Sequence, residues 1–190
     1  MFRNWIILII MVVVGIGGYV VVSKSYPVVL VNWRPISVRT FYENTGTAQH
    51  YYEKLYERYK KNAQEIQSEA AKQEISRAVL EKLIEDNLIY EELKRRMSAQ
   101  ELSTLLNKKI AEAIRQKDIQ KGVEMLYGIS LAEFSEKTLK PLAAREILED
   151  RLKLENKKIE DWLKTAKENA KITFFLPNFS WDSIKGIITE

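Results

Sequence analysis

Lys72 to Met97 reads KQEISRAVLEKLIEDNLIYEELKRRM, and the fold turns on this stretch. Ile75, Val79, Leu80, Leu83, Ile84, Leu88 and Leu93 recur at threes and fours, the period of one helix face. Charged side chains fill the remaining positions. The stretch predicts a long amphipathic helix with an apolar face wider than a two-residue coiled-coil seam. Such a helix must pack against others, with its polar face outward.

Upstream, Phe41, Thr45, Ala48, Tyr52, Leu55, Tyr56, Tyr59, Ala63 and Ile66 mark one face of another long helix, weakened at Gly46. Ser37 is placed to cap it, because its hydroxyl can accept from an orphan N–H. Downstream, Ser98 and Glu101 have capping-box spacing and open a third helix carrying Leu102, Leu105, Leu106 and Ile110. A short helix from Ile119 to Tyr127 ends at Gly128, a left-handed stop. Ser130 and Glu133 repeat the capping-box spacing before a helical segment that passes Phe134, Leu142, Leu148 and Leu152. Pro141 predicts a kink or a junction within that segment. Ile159, Trp162, Leu163 and Ala166 mark a last helix.

Two strand signals flank the helices. Val28 to Val31 is VVLV, followed by a turn at Asn32-Trp33-Arg34-Pro35; Ala170 to Pro177 is AKITFFLP. Isolated strands need partners, so the two are predicted to pair and to bring both ends of the domain together. Residues 178–190 read as a short tail with no assigned place.

Trp5 to Val22, WIILIIMVVVGIGGYVVV, is a run of 18 residues with no charge, preceded by Arg3 and followed by Lys24. As a helix it would span about 27 Å, close to a hydrocarbon core of roughly 30 Å. Trp5 and Tyr19 fall near its ends, where amphipathic rings gather. The expectation is a transmembrane anchor over residues 1–25. A cleaved signal peptide and a buried apolar helix are the alternatives. Lys24, Arg34 and Arg39 on the far side oppose export by the positive-inside rule.

The 190 residues include no Cys and one His, which excludes a disulfide framework, a thiolate metal site, a Cys nucleophile and a multi-histidine centre. Residues 26–190 carry 28 Lys+Arg against 26 Asp+Glu, interspersed throughout. That balance gives no basic field and argues against nucleic acid as a partner.

Four stretches together resemble the N-terminal chaperone domain of the SurA / PrsA / PpiD family of exported foldases. They are VVLVNWRPISVRTFYE (Val28 to Glu43), AVLEKLIEDNLIYEELKRR (Ala78 to Arg96), LYGISLAEFSEKTLKPLAAREILEDRL (Leu126 to Leu152) and IEDWLKTAKENAKITFF (Ile159 to Phe175). Trp33 departs from the family's usual Gly after Asn, at a turn that Gly would ease. The resemblance implies a helical chaperone module facing an extracytoplasmic space. It does not carry over prolyl isomerase activity, because no parvulin-type catalytic domain is recognisable after the helices.

Candidate chemistry is sparse. His50 lies within the first long helix with no nucleophile paired to it by a recognisable motif, and reads as a surface or boundary histidine; an enzyme with a site near His50 is the third reading of function. Glu85-Asp86 and Glu91-Glu92 are adjacent on a helix and diverge, so they read as solvated faces. Tyr52, Tyr56 and Tyr59 share one helix face, while Tyr51 points away. The simplest reading of that stripe is core packing. The functional one is a partly open groove for polypeptide, since tyrosine offers large contact area with a polar tip.

The resulting expectation is a mainly α chain with three parts: a transmembrane anchor over 1–25, a SurA-N-like helical domain with short terminal strands over 26–177, and a tail over 178–190. Its function would be that of a single-pass, membrane-anchored, extracytoplasmic chaperone-like protein without covalent catalysis. The expected partners are a lipid bilayer through residues 5–22, unfolded or exported polypeptides through Tyr52, Tyr56 and Tyr59, and an envelope protein. No cofactor and no metal are expected. The alternative is an adaptor that binds one folded envelope or membrane partner.

Overall fold

A computed structural model of the protein describes residues 26–59, 64–115, 119–177, 179–182 and 186–189. β1 (Pro27–Val31) and β2 (Arg34–Ser37) form a hairpin, and Ser37 leads into α1 (Val38–Arg58). The short α2 (Gln64–Gln67) precedes α3 (Glu69–Arg96), then α4 (Ala99–Ala113), α5 (Ile119–Tyr127) and α6 (Leu131–Phe134). A π-helical segment (Ser135–Leu139) joins α6 to α7 (Lys140–Leu154), and α8 (Ile159–Asn169) completes the helices. The chain closes with β3 (Ile172–Phe174) and a hairpin of β4 (Phe179–Asp182) and β5 (Gly186–Thr189).

The caps read from the sequence form. Ser37, Ser98 and Ser130 each accept the backbone N–H three residues on, at 3.1, 3.2 and 3.2 Å. Glu133 returns the bond to Ser130, completing a capping box. Gly128 ends α5 at a φ of 67°. Pro141 sits just after the π-helical segment, in which the Lys140 N–H donates to the Ser135 carbonyl five residues back. A proline cannot donate to the carbonyl four residues back and its ring crowds that carbonyl. The widened turn before Pro141 accommodates both effects without breaking the helix. The first long helix was expected to run through Ile66; it stops at Arg58, and Ser68 caps α3 instead, accepting from the Ala71 N–H at 3.2 Å.

β1 lies between β2 and β3, antiparallel to both, with Val29 opposite Ile36 on one side and Phe174 on the other. The predicted pairing of the two strand signals is therefore present, sealed by the Phe175 N–H donating to the Val28 carbonyl at 2.8 Å. As the central strand, β1 is nearly all inside: Val28, Val29 and Val31 are 1, 0 and 0% exposed. That explains a continuous VVLV run in place of alternation. Residues 179–182 and 186–189, within the stretch read as a tail, pair as β4 and β5, and Ile187 is buried against the core.

Asn32 and Trp33 occupy the β1–β2 turn with φ of 48° and 68°, the left-handed pair that a two-residue hairpin loop requires. Asn32 tolerates this conformation; Trp33, 79% exposed, does so at a cost. Asn32 ties the turn down. Its side chain donates to Glu91 on α3 and accepts the Lys171 N–H, both at 3.0 Å.

α3 is the spine of two adjoining apolar clusters. Toward its N-terminal half, Leu80, Ile84 and Leu88 pack with the sheet, Val38 and Phe41 of α1, and Ile187. Toward its C-terminal end, Ile89 and Leu93 pack with Leu102 and Leu106 of α4, Ile147, Leu148 and Leu152 of α7, and Leu163 of α8. Lys167 on α8 reaches Glu81 and Glu85 at 3.1 and 2.9 Å, and Arg145 on α7 reaches Glu85 at 3.5 Å. The adjacent carboxylates are thus engaged and not simply solvated. Glu92 is 8% exposed, held by Arg95 and Arg96, and these two cations keep its carboxyl below the usual range against the opposing effect of burial.

The helical domain with short strands stands, but the transmembrane part of the expected fold class is corrected. Among the described residues no helix is long and apolar enough to cross a membrane. α3 is the longest, with 28 residues, and it carries charges from end to end. Residues 5–22, where the span was expected, lie outside the described residues. The bilayer as partner, the membrane anchoring of the function and the single-pass cell-membrane location are corrected with it, since no described helix supplies a span.

Candidate functional site

A cavity of about 510 Å³ opens between α1 and α3, with α2, α5 and the π-helical segment contributing to its walls. Ile75, Val79 and Leu83 of α3 form one wall and Tyr51, Tyr52 and Tyr56 of α1 the other. Tyr127, the last residue of α5, continues the aromatic surface. Its ring stacks on Tyr51 with centroids 4.9 Å apart and planes 12° from parallel, and meets Phe134 at 4.7 Å. Burial, with Tyr51 adding to it, pushes the Tyr127 hydroxyl's pKa up. Glu74, Lys82 and Lys137 bring both charge signs to the same lining.

The groove exists because α1 and α3 are packed only at one end. The buried residues of α1 are Val38, Phe41 and Thr45, all in its first half. Beyond Thr45 the apolar face of the helix continues in tyrosines that do not close onto α3. Tyr52 remains 41% exposed.

Tyr52 and Tyr56 line this groove. Tyr59 caps the end of α1, is 69% exposed, and is not among the lining residues. Tyr51, expected to point away, lies in the lining beside Tyr52, with the two ring centroids 5.7 Å apart. Consecutive helix positions diverge, but a groove with a third wall from α5 takes both rings. Tyr127 was read as the residue before a helix stop and as part of a stretch of family resemblance, and Ile75, Val79 and Leu83 as a packing face, none of them as groove lining. The available signal was the breadth of the α3 apolar face, which exceeds what one packing partner covers.

His50 sits where α1 meets the end of α5. Gly128 lies so close that a Cβ there would come within 3.1 Å of the imidazole. The glycine thus serves two needs, a left-handed backbone and room for the ring. Among the described residues no cluster of three or more His, Asp or Glu side chains is arranged to hold a metal ion. What the groove offers is contact: aromatic and aliphatic walls flanked by charge, suited to apolar side chains on a chain that stays solvated elsewhere.

A family model described as the SurA-like N-terminal domain matches residues 1–118, more than half of the chain. No curated protein and no solved structure gives a match.

Proposed function

The chain belongs to the SurA-like N-terminal domain family, and we propose that it acts as a chaperone module that holds apolar stretches of non-native polypeptide in the α1–α3 groove. The observation that carries this reading is the open aromatic surface of Tyr51, Tyr52, Tyr56 and Tyr127 beside the apolar cores. Apolar client side chains gain by leaving water, and the tyrosine hydroxyls keep the empty groove wetted. Lys82, Lys137 and Glu74 beside it tolerate clients of either charge. Binding of this kind needs no covalent step, and weak contacts at several points allow release.

The test is binding of the full chain to one fluorescently labelled client, held permanently unfolded or allowed to fold. Saturable binding to the unfolded form alone is expected. Tyr52→Ala is expected to weaken it about tenfold, equivalent to about 1.4 kcal/mol, with little change in thermal midpoint because Tyr52 is exposed. Tyr59→Ala should weaken it less. No binding to either form, by a chain that melts cooperatively, overturns the reading and leaves the adaptor to be tested by partner capture.

A further inference from the structure

α1 carries a weak turn where its packed first half gives way to its tyrosine half. Asn44, Thr45, Gly46 and Thr47 are four consecutive residues of low helix propensity, the glycine lowest of all. The Asn44 side chain donates to the Thr40 carbonyl at 2.8 Å, and the Thr47 hydroxyl donates to the Glu43 carbonyl at 2.9 Å. Side-chain bonds to the carbonyl four residues back loosen and bend a helix. No packing need explains Gly46. It lies inside the helix without a positive φ, and a Cβ there would meet nothing within 4 Å.

The weak turn coincides with a break in packing. Before it, Val38 and Phe41 belong to the core that holds the sheet. Beyond it, among the described residues, α1 gives no side chain to either apolar core, and neither does α5. α5 packs on α1 and α6 instead. The Tyr51–Tyr127 stack and the close fit of His50 against Gly128 tie α5 to the second half of α1. We infer that residues 44–47 are a hinge, about which the second half of α1 swings with α5 attached, as one jaw that closes over the apolar face of α3.

The lever is long enough to matter. Gly46 to Arg58 is about 18 Å along the helix at 1.5 Å per residue. A bend of about 20° at the glycine moves Arg58 by about 6 Å. That carries the tyrosine wall toward Ile75, Val79 and Leu83 and disturbs neither core. The opposite wall stays with the body of the domain, because Lys137 of the π-helical segment reaches Glu43, on the fixed side of the hinge, at 3.2 Å. At its other end the jaw joins α6 through the turn that begins at Gly128, whose φ is 67°. The use of the motion rests on the chaperone reading: a groove of adjustable width takes client side chains of different bulk. The hinge itself stands apart from that reading.

The chain contains no Cys, so spin labels on introduced cysteines report only the chosen sites. Electron–electron double resonance on the full chain measures three distances, each from Glu168→Cys on α8. The second label is at Arg58→Cys on the jaw, Lys121→Cys on α5, or Tyr42→Cys in the first half of α1; all four sites are exposed. Without client, the Arg58 and Lys121 distances should spread over several Å, and the Tyr42 distance should be narrow. Gly46→Ala should narrow both jaw distributions with an equal or higher thermal midpoint, since the added methyl meets nothing and favours helix. Saturating unfolded client should shift the Arg58 distance by several Å and leave the Tyr42 distance in place. Equal widths for the Arg58 and Tyr42 pairs overturn the hinge, and so does a Gly46→Ala chain whose jaw distributions stay broad. A broad Arg58 pair beside a narrow Lys121 pair overturns the joint movement. A client that binds without moving the Arg58 distance overturns the closure. A folded chain that binds no client loses the chaperone reading, while the distances measured without client still decide the hinge.

Discussion

α3 presents two apolar stripes of similar composition with opposite fates. One, through Leu80, Ile84 and Leu93, is 0% exposed and closed by the sheet, α7 and α8. The other, through Val79 and Leu83, is only partly buried and faces the groove. Residue type does not separate them. What separates them is the partner: α7 and α8 bring leucine and isoleucine to full contact, whereas α1 is buried only as far as Thr45 and then presents tyrosines across a gap. A helix with more apolar face than its neighbours cover is a binding surface as well as a structural element.

The sharpest way to break this contrast is to treat both stripes alike. Leu80→Ala on the closed side, at 0% exposure, should cost about 3–4 kcal/mol by the cavity it leaves. Leu83→Ala on the open side should cost about 1–2 kcal/mol, since that site is already incompletely filled. Chemical denaturation measures both, and equal costs would erase the distinction. Next in size is Gly128→Ala, beside the groove-lining Tyr127. The positive φ and the 3.1 Å approach to His50 should together cost about 1–2 kcal/mol. Client binding should weaken with it, because Tyr127 is the adjoining residue.

Trp33→Gly tests the closed side in the other direction. Relief of the left-handed strain should outweigh the added freedom of the unfolded chain by about 0.5–1 kcal/mol. A thermal midpoint higher by a few degrees is expected, and an unchanged one would mean that the exposed indole has contacts worth the strain. The smallest effect belongs to Asp86 on α3, paired with Lys82. Burial raises its carboxyl above the ordinary 3.8, with the Lys82 ammonium opposing. The folded state then holds the proton more tightly than the unfolded one, so ionisation at neutral pH costs stability. That cost disappears as pH falls through the raised value. Asp86→Asn should therefore raise the midpoint slightly at pH 7, and the gain should vanish below about pH 3.8.

Much of this architecture was legible. Serine caps and Gly128 mark helix ends because they act through local hydrogen bonds and local φ, which the sequence encodes directly. The pairing of β1 with β3 could be argued because two apolar strand signals had no other partner. The β4–β5 hairpin was not legible. Its strands are four residues each, and Ile187 becomes core only through a long-range contact with α3 and its neighbours. Tyr51 was misdirected for a related reason. Helical spacing gives the direction of a side chain relative to its own axis, but not the position of α5, whose Tyr127 draws that ring into the groove. Glu92, read as solvated, is buried because α3 and the turn after α7 bring arginine and glutamate into one network: Arg96 bonds to both Glu92 and Glu155. The family resemblance was legible in ordered stretches, of which Val28 to Glu43 and Ala78 to Arg96 fall within the residues that the family model matches.

The central position of β1 also has a consequence in time. Its neighbour β2 is a hairpin away, but Val29 meets Phe174 only after 145 further residues have been made. At about 5–20 residues per second, that interval is about 7–30 seconds. During it the VVLV strand has one edge unpaired, and the α3 stripe that will cover it is only partly supported. A domain whose proposed work is to shield the unfinished chains of others thus passes through the same unfinished condition on the ribosome. Its own nascent form should be among the chains that need shielding.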